Sequence, residues 1–196
     1  MRAKVYVAFL RGINVGGNAV VRMADLKKTF ESLGFTNVMP VLASGNLVFE
    51  ISNSNPALLR KKIESKLTKD FGLQVVAILR SGSQILDLLK ADPFSAISVT
   101  PNTRLHVTFM AEQAQEPPKF DMRQLNQGFQ IVRASNNEVC CAIEASATAG
   151  TPELMKLLEK ELGKHITTRT WNTIQKIGKI IDTTKPTPKI KPQGSR

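Results

Sequence analysis

The chain has 196 residues, of which 42% are hydrophobic and 22% charged, a globular composition with room for one sizeable core or two coupled ones. Its net charge of +11 favours polyanions such as nucleic acid or phosphate-bearing ligands as partners. No apolar run approaches the roughly 18–20 residues of a membrane span and the opening Met1–Tyr6 lacks an apolar leader, so a cytoplasmic protein with no membrane partner is expected.

Residues 3–10 read as a buried strand. The loop Arg11–Val21, with Gly12, Gly16 and Gly17, leads into a helix whose apolar residues Met23, Leu26, Phe30 and Leu33 recur at three- and four-residue steps before Gly34. Residues 37–43 and 46–51 form a hairpin through Ser44-Gly45. Asn55-Pro56 opens a second helix with Leu59, Ile63, Leu67 and Phe71 on one face, and residues 73–80 supply a fourth strand. Ser81 to Ala91 is a linking helix that stops before Pro93.

The order then begins again. Residues 104–111 are a strand and Pro117-Pro118 opens a short helix near 119–127. Residues 128–134 and 138–145 pair around Asn136-Asn137. Thr151-Pro152-Glu153 caps a helix bearing Leu154, Leu157, Leu158 and Leu162. A strand near 165–169 precedes a last helix with Trp171, Ile174, Ile177 and Ile181.

The pattern is α+β, a tandem of two ferredoxin-like (βαββαβ, α/β plait) subdomains. They span 1–90 and 104–182, joined by a linker at 91–103, and each is expected as a mostly antiparallel sheet with helices on one face. The repeat shows in element order and not in letters. Residues 183–196, with three prolines and little to bury, read as a basic disordered tail. Residues 1–90 hold 13 Lys/Arg against 6 Asp/Glu, residues 91–184 hold ten of each, and residues 185–196 add four basic groups and no acid.

Two stretches concentrate polar residue types. The loop after the first strand can cradle an anion on its backbone N–H groups, or its glycines can simply permit tight turns. It is neither a P-loop nor a dinucleotide fingerprint, because no Gly-Lys-Ser/Thr follows and the glycine spacing differs. In this topology the first strand lies antiparallel beside the third, which brings Arg11 and Asn14 near Ser44, Gly45 and Asn46. At the other stretch, Arg169 and Trp171 sit at a strand-to-helix junction with Thr170 as N-cap and Asn172 next to it. The tryptophan can stack on a base or sugar, or anchor the last helix in the core.

If the junction faces the first unit's edge, Arg169 converges with Ser44 and Asn46 in one cleft between the halves. Alanine at Arg11 or Arg169 is then expected to abolish ligand binding at little cost in stability. No metal site and no cofactor is expected. His106 and His165 each stand alone, Cys140 and Cys141 point to opposite faces of a strand, and no nucleophile elbow or paired carboxylate appears. Catalytic residues are not identifiable.

The segments Leu10-Arg11-Gly12-Ile13-Asn14-Val15-Gly16-Gly17, Met23-Ala24-Asp25-Leu26, Leu33-Gly34-Phe35, Ser44-Gly45-Asn46, Asp92-Pro93-Phe94 and Arg169-Thr170-Trp171-Asn172-Thr173, in that order, resemble the bacterial domain-of-unknown-function family 1697. The resemblance covers residues 3–181. It implies a tandem of two α/β plait subdomains and brings no established activity. The chain departs from that family's pattern at residues 147–152, where a Gly-x-Gly-x-Ser-Lys-Leu segment is replaced by Ala-Thr-Ala-Gly-Thr-Pro, and at Thr170, where Asn is usual. The leading expectation is a non-catalytic binder of phosphate-bearing ligands such as nucleic acid. The ligand residues are Arg11, Gly12, Asn14, Gly16, Gly17, Ser44, Asn46, Arg169, Trp171 and Asn172. The alternatives are an enzyme for a small anionic or nucleotide-like substrate and a protein-interaction module that uses sheet edges.

Overall fold

Both faces of the first strand, β1 (Lys4–Leu10), are apolar, and each face enters a different core. This is why its hydrophobic run is nearly continuous rather than alternating. The structure, a computed structural model, describes residues 3–14, 20–52, 55–120, 128–144 and 151–184. Gly16 and Gly17, most of the segment expected as a helix at 119–127, residues 147–150 of the departing segment, and residues 185–196 of the tail lie outside these.

After β1 come α1 (Met23–Ser32), β2 (Thr36–Val41), β3 (Asn46–Ile51), α2 (Pro56–Phe71), β4 (Ala77–Ser81) and α3 (Gly82–Ala91). The second half holds β5 (Thr103–Met110), β6 (Phe129–Ala134), β7 (Glu138–Glu144), α4 (Thr151–Leu162), β8 (Ile166–Thr170) and α5 (Trp171–Thr184). The eight strands form two four-stranded sheets of order β2-β3-β1-β4 and β6-β7-β5-β8, and all neighbours are antiparallel. The fold is therefore mixed α+β, with five helices among the described residues and two similar subdomains. No helix among them is long and apolar enough to cross a membrane.

Local chemistry sets the boundaries. Asn55 caps α2 by accepting from the Ala57 N–H, with Pro56 in the first turn, and Gly72 closes it at φ 68°. Ser81 and Gln84 make a reciprocal capping box on α3. The fourth strand starts at Ala77 rather than at residue 73, because its pairing with β1 begins at Leu10↔Ala77. Val75, just ahead of it, is buried in the first core without joining the ladder. The last helix includes Thr183 and Thr184, two residues of the segment read from composition as tail. Lys119 and Phe120 are not helical.

Three cores form. Tyr6, Ala8 and Leu10 of β1 pack with Leu26 and Phe30 of α1 and with Leu59, Ile63 and Leu67 of α2. On the far side of the second sheet, Val139, Cys141 and Ile143 pack with Leu154, Leu157 and Leu158 of α4. Between the sheets lies a shared core of Val7, Phe9 and Ile78 from the first unit, Val107 and Phe109 from the second, and residues of α3 and α5. The expectation of helices on one face of each sheet is corrected here. Each sheet is covered on both faces, because α3 and α5 fill the space between the two.

The β2–β3 turn needs a glycine. Gly45 has φ +70°, and a Cβ there would lie 3.1 Å from Cβ of both Ile13 and Leu10 and 3.3 Å from the Leu10 carbonyl oxygen. Gly45→Ala is therefore expected to destabilise the protein by about 1–3 kcal/mol, from left-handed backbone strain and crowding together. A urea titration checks this as a lower midpoint with unchanged slope.

Candidate functional site

The pairing of β1 with β3 puts Phe9 opposite Asn46, and the Leu10 N–H donates to the Gly45 carbonyl at 2.8 Å. The chain then turns through Arg11–Asn14, with Gly12 and Asn14 in the left-handed region at φ 77° and 57°. Asn14 fastens the loop. Its Nδ2 donates to the carbonyls of Val21 (2.9 Å) and Ala43 (2.7 Å), and its Oδ1 accepts from the Val21 N–H (2.7 Å). Asn46 is fully buried. Its Nδ2 donates to the Val41 carbonyl and to Ser44 Oγ, and its Oδ1 accepts from Arg169 Nε at 2.5 Å.

Arg169 thus reaches the edge that the strand order brings together. Its Nη2 donates to the carbonyls of Leu10 (2.9 Å) and Ser44 (3.1 Å), and its Nη1 to Thr167 Oγ1 and the Thr168 carbonyl. All five guanidinium N–H groups are used within the protein. Burial pushes its pKa down to about 10, still high enough to keep the charge at neutral pH. Arg11 crosses in the opposite direction. It donates to the carbonyls of Lys164 and Ile166 and pairs with the Glu159 carboxylate at 2.5 Å. Trp171 is buried and meets Phe94 edge-on at 5.1 Å, in the role of core anchor. Asn172 is exposed.

A third arginine, Arg80, which the sequence analysis does not single out, completes the arrangement. Arg80 sits opposite Val7 on β4, as Arg169 sits opposite Val107 on β8. Its Nη2 donates to the carbonyls of Met110 (2.8 Å) and Asn137 (2.6 Å) of the second unit, and its Nη1 to the preceding Leu79 carbonyl. Arg169 makes the counterpart bonds to Leu10, Ser44 and Thr168. The rings of Phe9 and Phe109 stack at 4.6 Å between the two guanidiniums, Arg169 lying 5.8 Å from Phe9 and Arg80 5.3 Å from Phe109. Burial lowers the Arg80 pKa to about 10, opposed by the nearby Glu138 carboxylate.

The signal was present in the letters. Val-x-Phe recurs at Val7-Ala8-Phe9 and Val107-Thr108-Phe109, and Arg followed by a hydroxyl cap and a helix recurs at Arg80-Ser81 and Arg169-Thr170.

Burial pushes the Cys140 thiol up to about 12 and the Cys141 thiol higher still, so both stay protonated and weakly nucleophilic. Burial lowers the pKa of His106 and its Nδ1 has no partner. Among the described residues no group of three or more His, Cys, Asp or Glu is placed to hold a metal ion. A cleft of about 520 Å³ beside the Arg11 contacts is lined by Glu112, Glu116 and Glu161 together with Lys164 and His165.

The expectation that alanine at Arg169 costs little stability is corrected by these contacts. Removing the side chain leaves Asn46 Oδ1 and two cross-unit carbonyls without their donor, so Arg169→Ala should cost about 3 kcal/mol. Arg169→Lys should recover less than half, because a point ammonium cannot reproduce a five-donor fork. Arg11, more exposed, should cost about 1 kcal/mol. Chemical denaturation of the three variants checks the order.

Comparison with known proteins extends what the geometry gives. No curated protein matches the chain. Among solved structures it is similar to a conserved bacterial protein, SP0830, of Streptococcus pneumoniae, with TM-score 0.64 and 22% identity over 92% of this chain and 99% of that one. At that identity the likeness shows the fold alone. The family model described as a protein of unknown function (DUF1697) matches residues 3–140. That stretch includes the first clamp arginine, Arg80, the Asn14 loop and the Ser44–Asn46 turn, and the chain belongs to this family.

Proposed function

We propose that the protein is a non-catalytic binder of phosphate-bearing polyanions, nucleic acid in the first place, and that it meets them on the outer layer made by α1 and α2. The observation that carries this is where uncommitted positive charge lies. Arg11, Arg80 and Arg169 are committed to carbonyl groups, to Asn46 and to Glu159. The outer layer carries Arg22, Lys27 and Lys28 at α1 and Lys61, Lys62, Lys66 and Lys69 on α2, besides Arg60, which is committed to Glu112. Its acids are Asp25, Glu31, Glu64 and Asp70. Lys28, Lys61 and Lys69 are exposed. The pairs Arg22–Asp25, Lys27–Glu31 and Lys66–Asp70 lie at the surface, where such pairs are worth only about 0–1 kcal/mol and yield to a phosphate.

The acidic cleft near Arg11 argues against a phosphate there. Two of the four edge strands are poorly suited to partner binding by strand addition, because β2 carries Pro40 and a register break between Thr36 and Met39, and β6 breaks between Ile131 and Arg133. The two units are read as ferredoxin-like plaits of 1–90 and 104–182, joined by 91–103, a reading supported by the repeated antiparallel strand order. Arg11, Asn14, Ser44, Asn46, Arg169 and Trp171 then serve as the frame that holds the units together. The tail adds four positive charges.

Fluorescence titration with single- and double-stranded DNA and RNA tests the reading. Binding to at least one is expected at 50 mM salt, falling by about 100-fold at 200 mM if roughly four phosphates are contacted. No binding to any of the four at 50 mM salt removes it.

A further inference from the structure

Every Phe, Tyr and Trp ring of the chain is used inside the fold. The sequence contains one Trp, one Tyr and nine Phe, and all eleven fall within the described residues. Nine are buried. The other two, Phe71 and Phe120, are half-buried and pack against the first and third cores. Proteins that grip single strands stack successive bases on exposed rings, and plait-like RNA-binding modules do so on the open face of the sheet. Here the corresponding faces of both sheets are turned toward each other and shut by the Phe9–Phe109 stack.

A ligand of the α1–α2 face therefore finds charge and no stacking surface. In a duplex the bases are already stacked on one another, so a face that offers only cations gives up nothing. A single strand exchanges its hydration and its freedom for phosphate contacts alone. We infer that this face takes double-stranded nucleic acid, held by its phosphates without base readout. The inference rests on the reading of α1–α2 as the nucleic-acid surface and goes one step beyond it.

The rigidity of the face supports the assignment. The helix α2 is capped at both ends, by Asn55 and by Gly72. Helix α1 is fixed beside it by the Thr29 Oγ1 hydrogen bond to Asp70 Oδ2 (2.9 Å) and by Lys62 Nζ donating to the Leu33 carbonyl (2.8 Å). Lys62, Lys66 and Lys69 follow each other at four- and three-residue steps along one stripe. Lys62 to Lys69 covers about 10.5 Å of helix axis, between the roughly 6 Å width of a B-form minor groove and the roughly 12 Å of a major groove. Lys62 is held by the Leu33 carbonyl and Lys66 by Asp70, so the stripe is a fixed array of cations, which suits the fixed phosphates of a duplex better than a flexible single strand.

The test is anisotropy titration of the full chain at 50 mM salt with a labelled 20-base-pair DNA duplex, the RNA duplex of the same sequence, and the separate strands of each. At least one duplex should bind tenfold or more tighter than its own strands, and the DNA and RNA arms show which form is preferred. The variant Lys28→Gln/Lys61→Gln/Lys69→Gln should lower the log–log salt slope by about 2 to 3, at about 0.9 for each phosphate no longer neutralised, with an unchanged thermal midpoint. Single strands bound as tightly as the duplexes overturn the inference and leave the polyanion reading standing. An unchanged salt slope in the triple variant overturns the placement on α1–α2. Failure of every duplex and every strand to bind overturns both.

Discussion

Two phenylalanine rings, one from each sheet, stack 4.6 Å apart at the centre of the molecule, each with a guanidinium beside it from the other unit's last strand. A ring pair of this kind is worth about 0.5–1.5 kcal/mol beyond its burial, and a desolvated cation over a ring about 2 kcal/mol. Hydrogen bonds to main-chain carbonyls hold both guanidiniums in place, and Asn46 and Thr167 complete the set for Arg169, while Arg80 Nε is left without an acceptor. Carbonyl acceptors at strand ends are fixed in place by the ladders. Arg80 and Arg169 therefore tie each sheet to the other unit's strand ends.

That constraint decides what surface remains for function. A sheet with an open face can offer that face to a ligand; these two sheets close theirs against each other. The arginines that look most ligand-like in sequence are spent on the closure, together with the amide of Asn46, and the Asn14 amide is spent on fastening its own loop. What is left outside is helical, and on the first unit it is rich in lysine. Lysine stems lie along a helix surface with their ammonium groups in water.

The two units are alike at the junction and unlike around it. Arg80 and Arg169 make counterpart bonds to Met110 and Leu10. The register position of Asn46, opposite Phe9, is taken in the second unit by Glu138, opposite Phe109. Asn46 gives Arg169 Nε an acceptor, whereas Arg80 Nε has none and feels Glu138 only through its charge. Glu138 Oε1 is instead engaged by Ser135 Oγ at 2.6 Å. The added tie from Arg11 to Glu159 also has no counterpart, because Ala111 follows Met110 where Arg11 follows Leu10. The Gly12–Asn14 turn and its arginine therefore belong to the first unit alone, which accounts for the concentration of unusual residue types there.

The elements and most of their limits are legible in the letters alone. Apolar spacing marks α1, α2 and α5, Asn55-Pro56 and Gly72 mark the ends of α2, and the order of strands and helices implies two similar halves. These are local effects, set by side-chain periodicity and by caps within a few residues. Strand pairing, a slightly longer inference, also places Asn14, Ser44 and Asn46 at one edge. What that edge is for emerges only in the folded molecule. Whether Arg169 faces solvent or the Leu10 and Ser44 carbonyls, and whether Phe9 meets a ligand or Phe109, depends on contacts between residues about a hundred or more positions apart. No local pattern encodes them. The same holds for the covering of both sheet faces by α3 and α5, since an apolar helix face reads the same whichever sheet it meets.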